Sequence, residues 1–225
     1  DTVIQTVTVL DMTDPTVSCP ADVTLECPAD TSVETNGRGS GSDNCAAGVS
    51  ISYSDMAMAD CGNAETIERM WTATDDCGNS TRCGQVITVV DTTAPSINCP
   101  ADAVLDCPAD TSIAANGTAT GSDSCSSVSI SSIDSTVSGC ATTEMIARTW
   151  TATDECGNST SCDQVVAIVD TTPPSIECPE DATVECGEAT RPEALGTATG
   201  SDSCSGVIIS SISTYKADCR NTGVV

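Results

Sequence analysis

Cysteine and aspartate are the residues of this sequence that could do chemistry, and both recur at fixed intervals. Sixteen cysteines stand among 225 residues, several times ordinary usage, which points to a disulfide-stapled fold made in an oxidising, extracellular compartment. They fall into sets. Cys19, Cys27, Cys45, Cys61, Cys77 and Cys83 are followed by Cys99, Cys107, Cys125, Cys140, Cys156 and Cys162 at nearly the same spacings, and then by Cys178, Cys186, Cys204 and Cys219. An even number in each of the first two sets predicts bridges closed within a set. Zinc is the competing use, but there is no C-x2-C pair and no histidine. Six cysteines allow fifteen connectivities, and spacing leaves them open. The adjacency of first and last strands in a sandwich favours Cys19 with Cys83, and the Asp-containing turns before Cys45 and Cys77 suggest that pair, which leaves Cys27 with Cys61. Carried along the chain, the same scheme joins Cys125 with Cys156, Cys107 with Cys140 and Cys186 with Cys219.

The carboxylates recur as regularly. Asp11, Asp91 and Asp170 open a repeated boundary motif; Asp43, Asp123 and Asp202 lie in G-S-D turns; Asp75 and Asp154 open T-D-[DE]-C-G-N turns. Ca²⁺ takes six to eight oxygens from carboxylates, amides and carbonyls carried on loops, so these residues are candidate ligands of a junctional calcium. The competing use is local: Asp and Asn cap turns through bonds to backbone, and acidic surfaces stay soluble. No EF-hand loop is present. N-x-[ST] occurs at Asn79, Asn116 and Asn158; Asn116, in a Gly/Thr loop, is the candidate glycosylation site, whereas Asn79 and Asn158 are assigned to their turns. Without histidine as a base or a G-x-S-x-G elbow, no catalytic machinery is expected. Seven basic against 33 acidic residues give a net charge of −26, which repels phosphate backbones and excludes ordinary nucleic-acid binding. No run approaches the ~18 apolar residues of a membrane span.

The elements that must carry these groups are β-strands in tandem repeats. WTATDDCGNSTRC at 71–83 returns as WTATDECGNSTSC at 150–162, and GTATGSDSCS at 117–126 returns unchanged at 196–205. The boundary motif appears as DMTDPTVSCP, DTTAPSINCP and DTTPPSIECP. It defines repeats at 11–90 and 91–169 and an incomplete one at 170–225, while residues 1–10 read as the terminal strand of a preceding or neighbouring unit. Short Val/Ile/Thr-rich runs between Gly, Asn, Asp and Ser clusters predict about seven strands per repeat in an immunoglobulin-like β-sandwich. Trp71 and Trp150 are expected in the core.

At D-T-T-x-P-x-I-x-C-P and W-T-A-T-D-x-C-G-N-S-T-x-C the chain resembles the hyalin repeat (HYR) family, above all the Cys-rich tandem versions in very large bacterial surface proteins. The resemblance spans essentially every residue. It implies an immunoglobulin-like sandwich, an extracellular location, adhesion or scaffolding rather than catalysis, and a bridge from the Cys of the C-P motif to the Cys after the G-N turn: Cys19 with Cys83 and Cys99 with Cys162. Val3 stands where the family pattern places that last Cys before Asp11.

These readings converge on a structural repeat of an extracellular filament or cell-surface stalk, whose partners are copies of itself or further repeats of the same chain. The alternative is a Ca²⁺-dependent adhesin segment binding a glycan or protein through variable loops; the stretch before the fourth Cys (SISYSDMAMADC, SISSIDSTVSGC, IISSISTYKADC) varies most. The chain opens at Asp1 without Met, as a mature or excised piece does. The third repeat ends before its W-T-A-T-D strand. Continuity is therefore expected at both ends, by uninterrupted polypeptide or by a donated strand.

Overall fold

The computed structural model describes residues 2–45, 48–185 and 188–214, and the backbone of 216–218 and 222–224. The fold is all-β: tandem immunoglobulin-like sandwiches stapled by disulfides. In the first repeat the elements are β1 (Thr16–Ser18), β2 (Val23–Glu26), the single helical turn α1 (Val33–Asn36), β3 (Ser40–Ser42), β4 (Val49–Ala59), β5 (Glu65–Asp75) and β6 (Ser80–Val90). The second has β7 (Ser96–Asn98), β8 (Ala103–Asp106), α2 (Ile113–Asn116), β9 (Thr120–Ser122), β10 (Val128–Ser138), β11 (Glu144–Asp154) and β12 (Ser159–Val169). Each repeat thus has six strands and a helical turn instead of about seven strands. The turn forms because Asn36 Nδ2 donates to the Asp30 and Ser32 carbonyls, and Asn116 does the same to Asp110 and Ser112.

One sheet of each sandwich has two strands, β1-β3 or β7-β9; the other has four, ordered β2-β6-β5-β4 or β10-β11-β12-β8. The long strands alternate as the pleat requires. Ile67, Arg69, Trp71, Ala73 and Asp75 of β5 are buried, and Gln85, Ile87 and Val89 of β6 face the same core. Trp71 Nε1 donates to Gln85 Oε1 at 3.5 Å, while Gln85 Nε2 donates to the carbonyls of Ala21 and Asn36. Trp150, Gln164, Ala101 and Asn116 repeat the arrangement. Buried Arg69 holds Asp55 through two 2.8 Å bonds and the Thr31 carbonyl through a third; Arg148 holds Asp134 and Thr111 likewise.

β2 and β8 join their sheets in parallel with β6 and β12, the last strand of each repeat. The third repeat has fewer elements among the described residues. It keeps β13 (Ser175–Glu177), α3 (Pro192–Leu195) and β14 (Thr199–Ser201), with β13 and β14 paired, and ends in β15 (Lys216–Asp218) and β16 (Thr222–Val224). Residues 182–185, the counterpart of β2, form no strand, and no counterpart of β6 occurs among the described residues. Residues 2–10 are also outside any strand, with Val3, Ile4, Val7, Val9 and Leu10 exposed.

Two compact units result: Asp1–Asn98 with Thr120–Ser131 and Thr151–Ser161, and Cys99–Ala119 with Ser132–Trp150 and Cys162–Val225. They are out of phase with the sequence repeats, and the disulfides explain why. Cys19–Cys83 and Cys99–Cys162 close within repeats. The remaining pairing scheme is corrected: Cys27 is bonded to Cys125 instead of Cys61, Cys61 to Cys156, and Cys107 to Cys204 instead of Cys140. Cys45 and Cys77 are not joined; they are free and exposed, as are Cys140 and Cys178. Cys186 and Cys219 lie outside the described residues. The physical reason is proximity across the repeat boundary: the Cα atoms of Cys27 and Cys125 are 5.7 Å apart and those of Cys61 and Cys156 5.1 Å. Cys27 and Cys61 sit at the end of the sandwich where β6 leaves for the next repeat, Cys27 N donating to the Val90 carbonyl. Cys45 and Cys77 sit at the other end, roughly 35 Å away along eleven-residue strands. Each outgoing cysteine meets an incoming cysteine of the following repeat.

Candidate metal and disulfide junction

The incoming end of each sandwich is built from three turns. Asp11 precedes β1, Asp43 follows β3 and Asp75 ends β5; Asp91, Asp123 and Asp154 occupy the same places around β7, β9 and β11. In each set one carboxylate oxygen per residue lies within 4.8 Å of the other two. The sequence-selected aspartates of these two repeats are thus brought together as two triads. Of the third set, Asp170 and Asp202 are described; Asp170 Oδ1 and Asp202 Oδ2 are buried without a hydrogen-bond partner.

The turns themselves fix the carboxylates. Asp75 Oδ1 accepts from the backbone N–H of Cys77 and Asn79, both at 2.9 Å, and Oδ2 accepts from Asn79 Nδ2 at 2.8 Å. Asn79 Nδ2 also donates to the Asp11 carbonyl at 3.3 Å, tying the boundary to the β5–β6 turn. In the second triad Asn158 donates from its backbone and side chain to Asp154 and, at 3.0 Å, to the Asp91 carbonyl. Asp123 Oδ1 accepts from Cys125 N and Ser126 N, and Ser126 Oγ donates to Asp91 Oδ2 at 3.4 Å. Burial works against the charged form of Asp75 and Asp154, but the Asn79 and Asn158 side chains and the turn N–H groups outweigh it and hold both carboxyls below the usual range. The Cys77 thiol is pushed up by desolvation first, then by the charges of Asp11 and Asp75.

Three carboxylates this close repel one another, and the ion pairs among the described residues lie elsewhere: Arg38–Glu34, Arg69–Asp55 and Arg148–Asp134. Asp11 Oδ2 is buried with no partner. An all-oxygen donor set with a spare buried oxygen fits a hard divalent cation such as Ca²⁺ and does not suit zinc. The rest of a coordination shell would come from carbonyls or water.

Beside the second triad stand the two bridges. Cys125 and Cys156 each follow a triad aspartate by two residues and reach back to Cys27 and Cys61. Asn63 N donates to the Cys125 carbonyl at 3.0 Å, and Cys27, Cys125, Val89 and Ala29 form an apolar cluster around one bridge. Gly62 is at φ +57°, a conformation that favours glycine, and a Cβ there would lie 2.4 Å from Ser126 Cβ, which leaves no room for a side chain. The boundary is pinned as well: Glu26 accepts from Thr92 N, Thr92 Oγ1 and Thr93 Oγ1, which lowers its pKa. Asp106 takes the same part toward Thr171 and Thr172. The second unit contains a matching bridge, Cys107–Cys204, with Thr142 Oγ1 donating to the Cys204 carbonyl at 2.8 Å.

Sequence reasoning missed the cross-repeat bridges, the buried Gln85 and Gln164, and the role of Glu26 and Asp106. The D-T-T motifs at 91–93 and 170–172 and the Q-V pairs at 85–86 and 164–165 were the available signals. Asn116, the candidate glycosylation site, donates from its side-chain amide to the Asp110 and Ser112 carbonyls and so builds the α2 turn. Among the described residues no helix is long and apolar enough to cross a membrane.

No family model and no curated protein matches the sequence. Solved structures that the chain resembles include protocadherin gammaB7 EC3-6 in its cis-dimer structure (TM-score 0.35, 15% identity, 86% of this chain and 62% of that one). Others are the protocadherin gammaB4 extracellular domain (0.35, 15%, 89% and 39%) and Drosophila N-cadherin EC1-4 (0.31, 14%, 86% and 60%). This chain spans less than two thirds of each.

Proposed function

We propose that this protein is a non-catalytic structural repeat of the hyalin type, belonging to an extracellular filament or cell-surface stalk in which calcium and disulfides together stiffen each junction. The observation that carries the reading is the coincidence at one place of the Asp91–Asp123–Asp154 triad, the Cys27–Cys125 and Cys61–Cys156 bridges and the Glu26-pinned threonines. A flexible tether needs none of these. Five disulfides in the described chain also call for an oxidising compartment. Asp11, Asp43 and Asp75, and Asp91, Asp123 and Asp154, would hold the ions, which neutralise the clustered charge.

The test is scanning calorimetry with and without a calcium chelator. Calcium should raise the melting temperature in a concentration-dependent way, because a ligand bound only by the folded state stabilises it by mass action. A melting curve indifferent to chelator would reduce the triads to turn caps. An adhesive role is a second reading, favoured by one feature. The segment that differs most between repeats forms nearly all of the edge strands β4 and β10, where Tyr53, Met56, Ile133 and Val137 are exposed.

A further inference from the structure

The incoming end of the first repeat carries the same two cysteine positions as the second, and both are unused. Cys45 follows Asp43 by two residues and Cys77 follows Asp75 by two, as Cys125 follows Asp123 and Cys156 follows Asp154. The backbone around each is set in the same way: Cys45 N donates to Asp43 Oδ1 at 2.7 Å and Cys77 N to Asp75 Oδ1 at 2.9 Å, matching Cys125 N to Asp123 at 2.7 Å. Yet Cys125 and Cys156 are bridged, whereas Cys45 and Cys77 are free and exposed.

We infer that Cys45 and Cys77 form a two-point covalent docking site for the outgoing end of another repeat of this same kind, Cys45 bonding that repeat's second cysteine and Cys77 its fourth. The register follows from the bridges in hand. Cys27, a second cysteine, takes Cys125, a third; Cys61, a fourth, takes Cys156, a fifth; and Cys107, again a second, takes Cys204, again a third. A further observation points to the same partner. Residues 2–10 lead directly into Asp11 as β6 leads into Asp91. In that register Gln5, Val7 and Val9 fall on the buried Gln85, Ile87 and Val89, and on Gln164, Val166 and Ile168 of β12. Their side chains suit the core of a sandwich, but Val7 and Val9 are exposed in this chain. The partner can be a second copy, whose third repeat offers Cys186 and Cys219 at the second and fourth positions, or a further repeat of the same polypeptide; both present the same chemistry.

Each bond forms by thiol–disulfide exchange. Two Sγ–H groups lose two protons and two electrons, and a small-molecule or oxidoreductase disulfide accepts both electrons and both protons as it is reduced to two thiols.

The inference rests on the repeat-array reading, but its test is separate from calcium-dependent melting. Protein isolated from its source is alkylated without reduction, digested and mapped by mass spectrometry. The expected result is Cys45 joined to a second-position cysteine and Cys77 to a fourth-position one, with little alkylation of either. Peptides containing Cys186 and Cys219 identify a second copy, and other repeat peptides identify a longer polypeptide. A Cys45–Cys77 bridge, alkylation of both thiols, or a crossed register would overturn the proposal. A Cys45→Ser/Cys77→Ser chain should retain the Cys19–Cys83 peptide while losing at least ten-fold of its linkage through this end. Unchanged linkage in that variant would also overturn it.

Discussion

The two aspartate triads are built from the same residue types on the same three turns, but only one is clamped. Around Asp91, Asp123 and Asp154, two disulfides hold the β9–β10 and β11–β12 turns against the first repeat, and Ser126 donates to Asp91. Around Asp11, Asp43 and Asp75 the corresponding cysteines are free and Asp11 Oδ2 has no partner. Each triad nevertheless keeps its ligand oxygens within 4.8 Å of one another. Carboxylate geometry is therefore a property of each repeat's own turns, Asn79 and Asn158 above all. The bridges add something different, a covalent limit on how far the junction can open when like charges are not neutralised.

The strongest way to break the difference is to remove a clamp. Cys61→Ser/Cys156→Ser, made as a pair to leave no stray thiol, should cost about 2–5 kcal/mol, read as a lower calorimetric melting temperature. It should also bring the second triad closer to the first in sensitivity to chelator, with the Cys27–Cys125 bridge still in place. A second experiment separates the triads by charge. Asp75→Asn and Asp154→Asn should each weaken calcium binding at their own triad by about ten-fold, since 1.4 kcal/mol is a factor of ten; calorimetric titration should find the other triad unchanged.

The pH dependence should be common to both. Asp75 and Asp154 have folded pKa values below 3.8, so their contribution is fully present above that unfolded value and is lost as pH falls through the lower folded values. Circular dichroism should show acid destabilisation below about pH 4, at higher pH when calcium is withheld, with no matching loss in mild alkali. The smallest contrast concerns one backbone position. Gly62 and Ala141 are equivalent, at φ +57° and +52°. Gly62→Ala should cost about 1–2 kcal/mol through strain and the Ser126 contact, whereas Ala141→Gly should be neutral or stabilise by up to ~1 kcal/mol.

Repetition made much of this legible in advance. Identical W-T-A-T-D runs placed β5 and β11, Val/Ile/Thr-rich runs between turn clusters gave strands, and recurring Asp at three kinds of turn marked the residues that form both triads. The cross-repeat bridges were illegible for a specific reason. Even counts per repeat satisfy pairing within repeats and pairing handed on from one repeat to the next equally well. Cys27 and Cys61 share one end of the sandwich and Cys45 and Cys77 the other, which suits both schemes; only the approach of Cys27 to Cys125 and of Cys61 to Cys156, with Cα atoms 5.7 and 5.1 Å apart, separates them. Burial of Arg69 was hidden because its partner Asp55 lies on the neighbouring strand, fourteen residues away. The α1 turn was hidden because its stabiliser is a side-chain amide bonding backwards to Asp30 and Ser32.

The Cys19–Cys83 bridge has a mechanical consequence. A tensile load entering at Cys19 crosses directly to Cys83, and the 64-residue span between them is shielded from stretching even if the sandwich melts. What can pay out before Cys99 is the stretch from 83 to 99, on the order of 55 Å when fully extended. Most of the contour length that an unbridged domain would release under force is locked away. Such a chain behaves as a cable of nearly fixed length, failing by bond rupture or reduction and absorbing little work by unfolding.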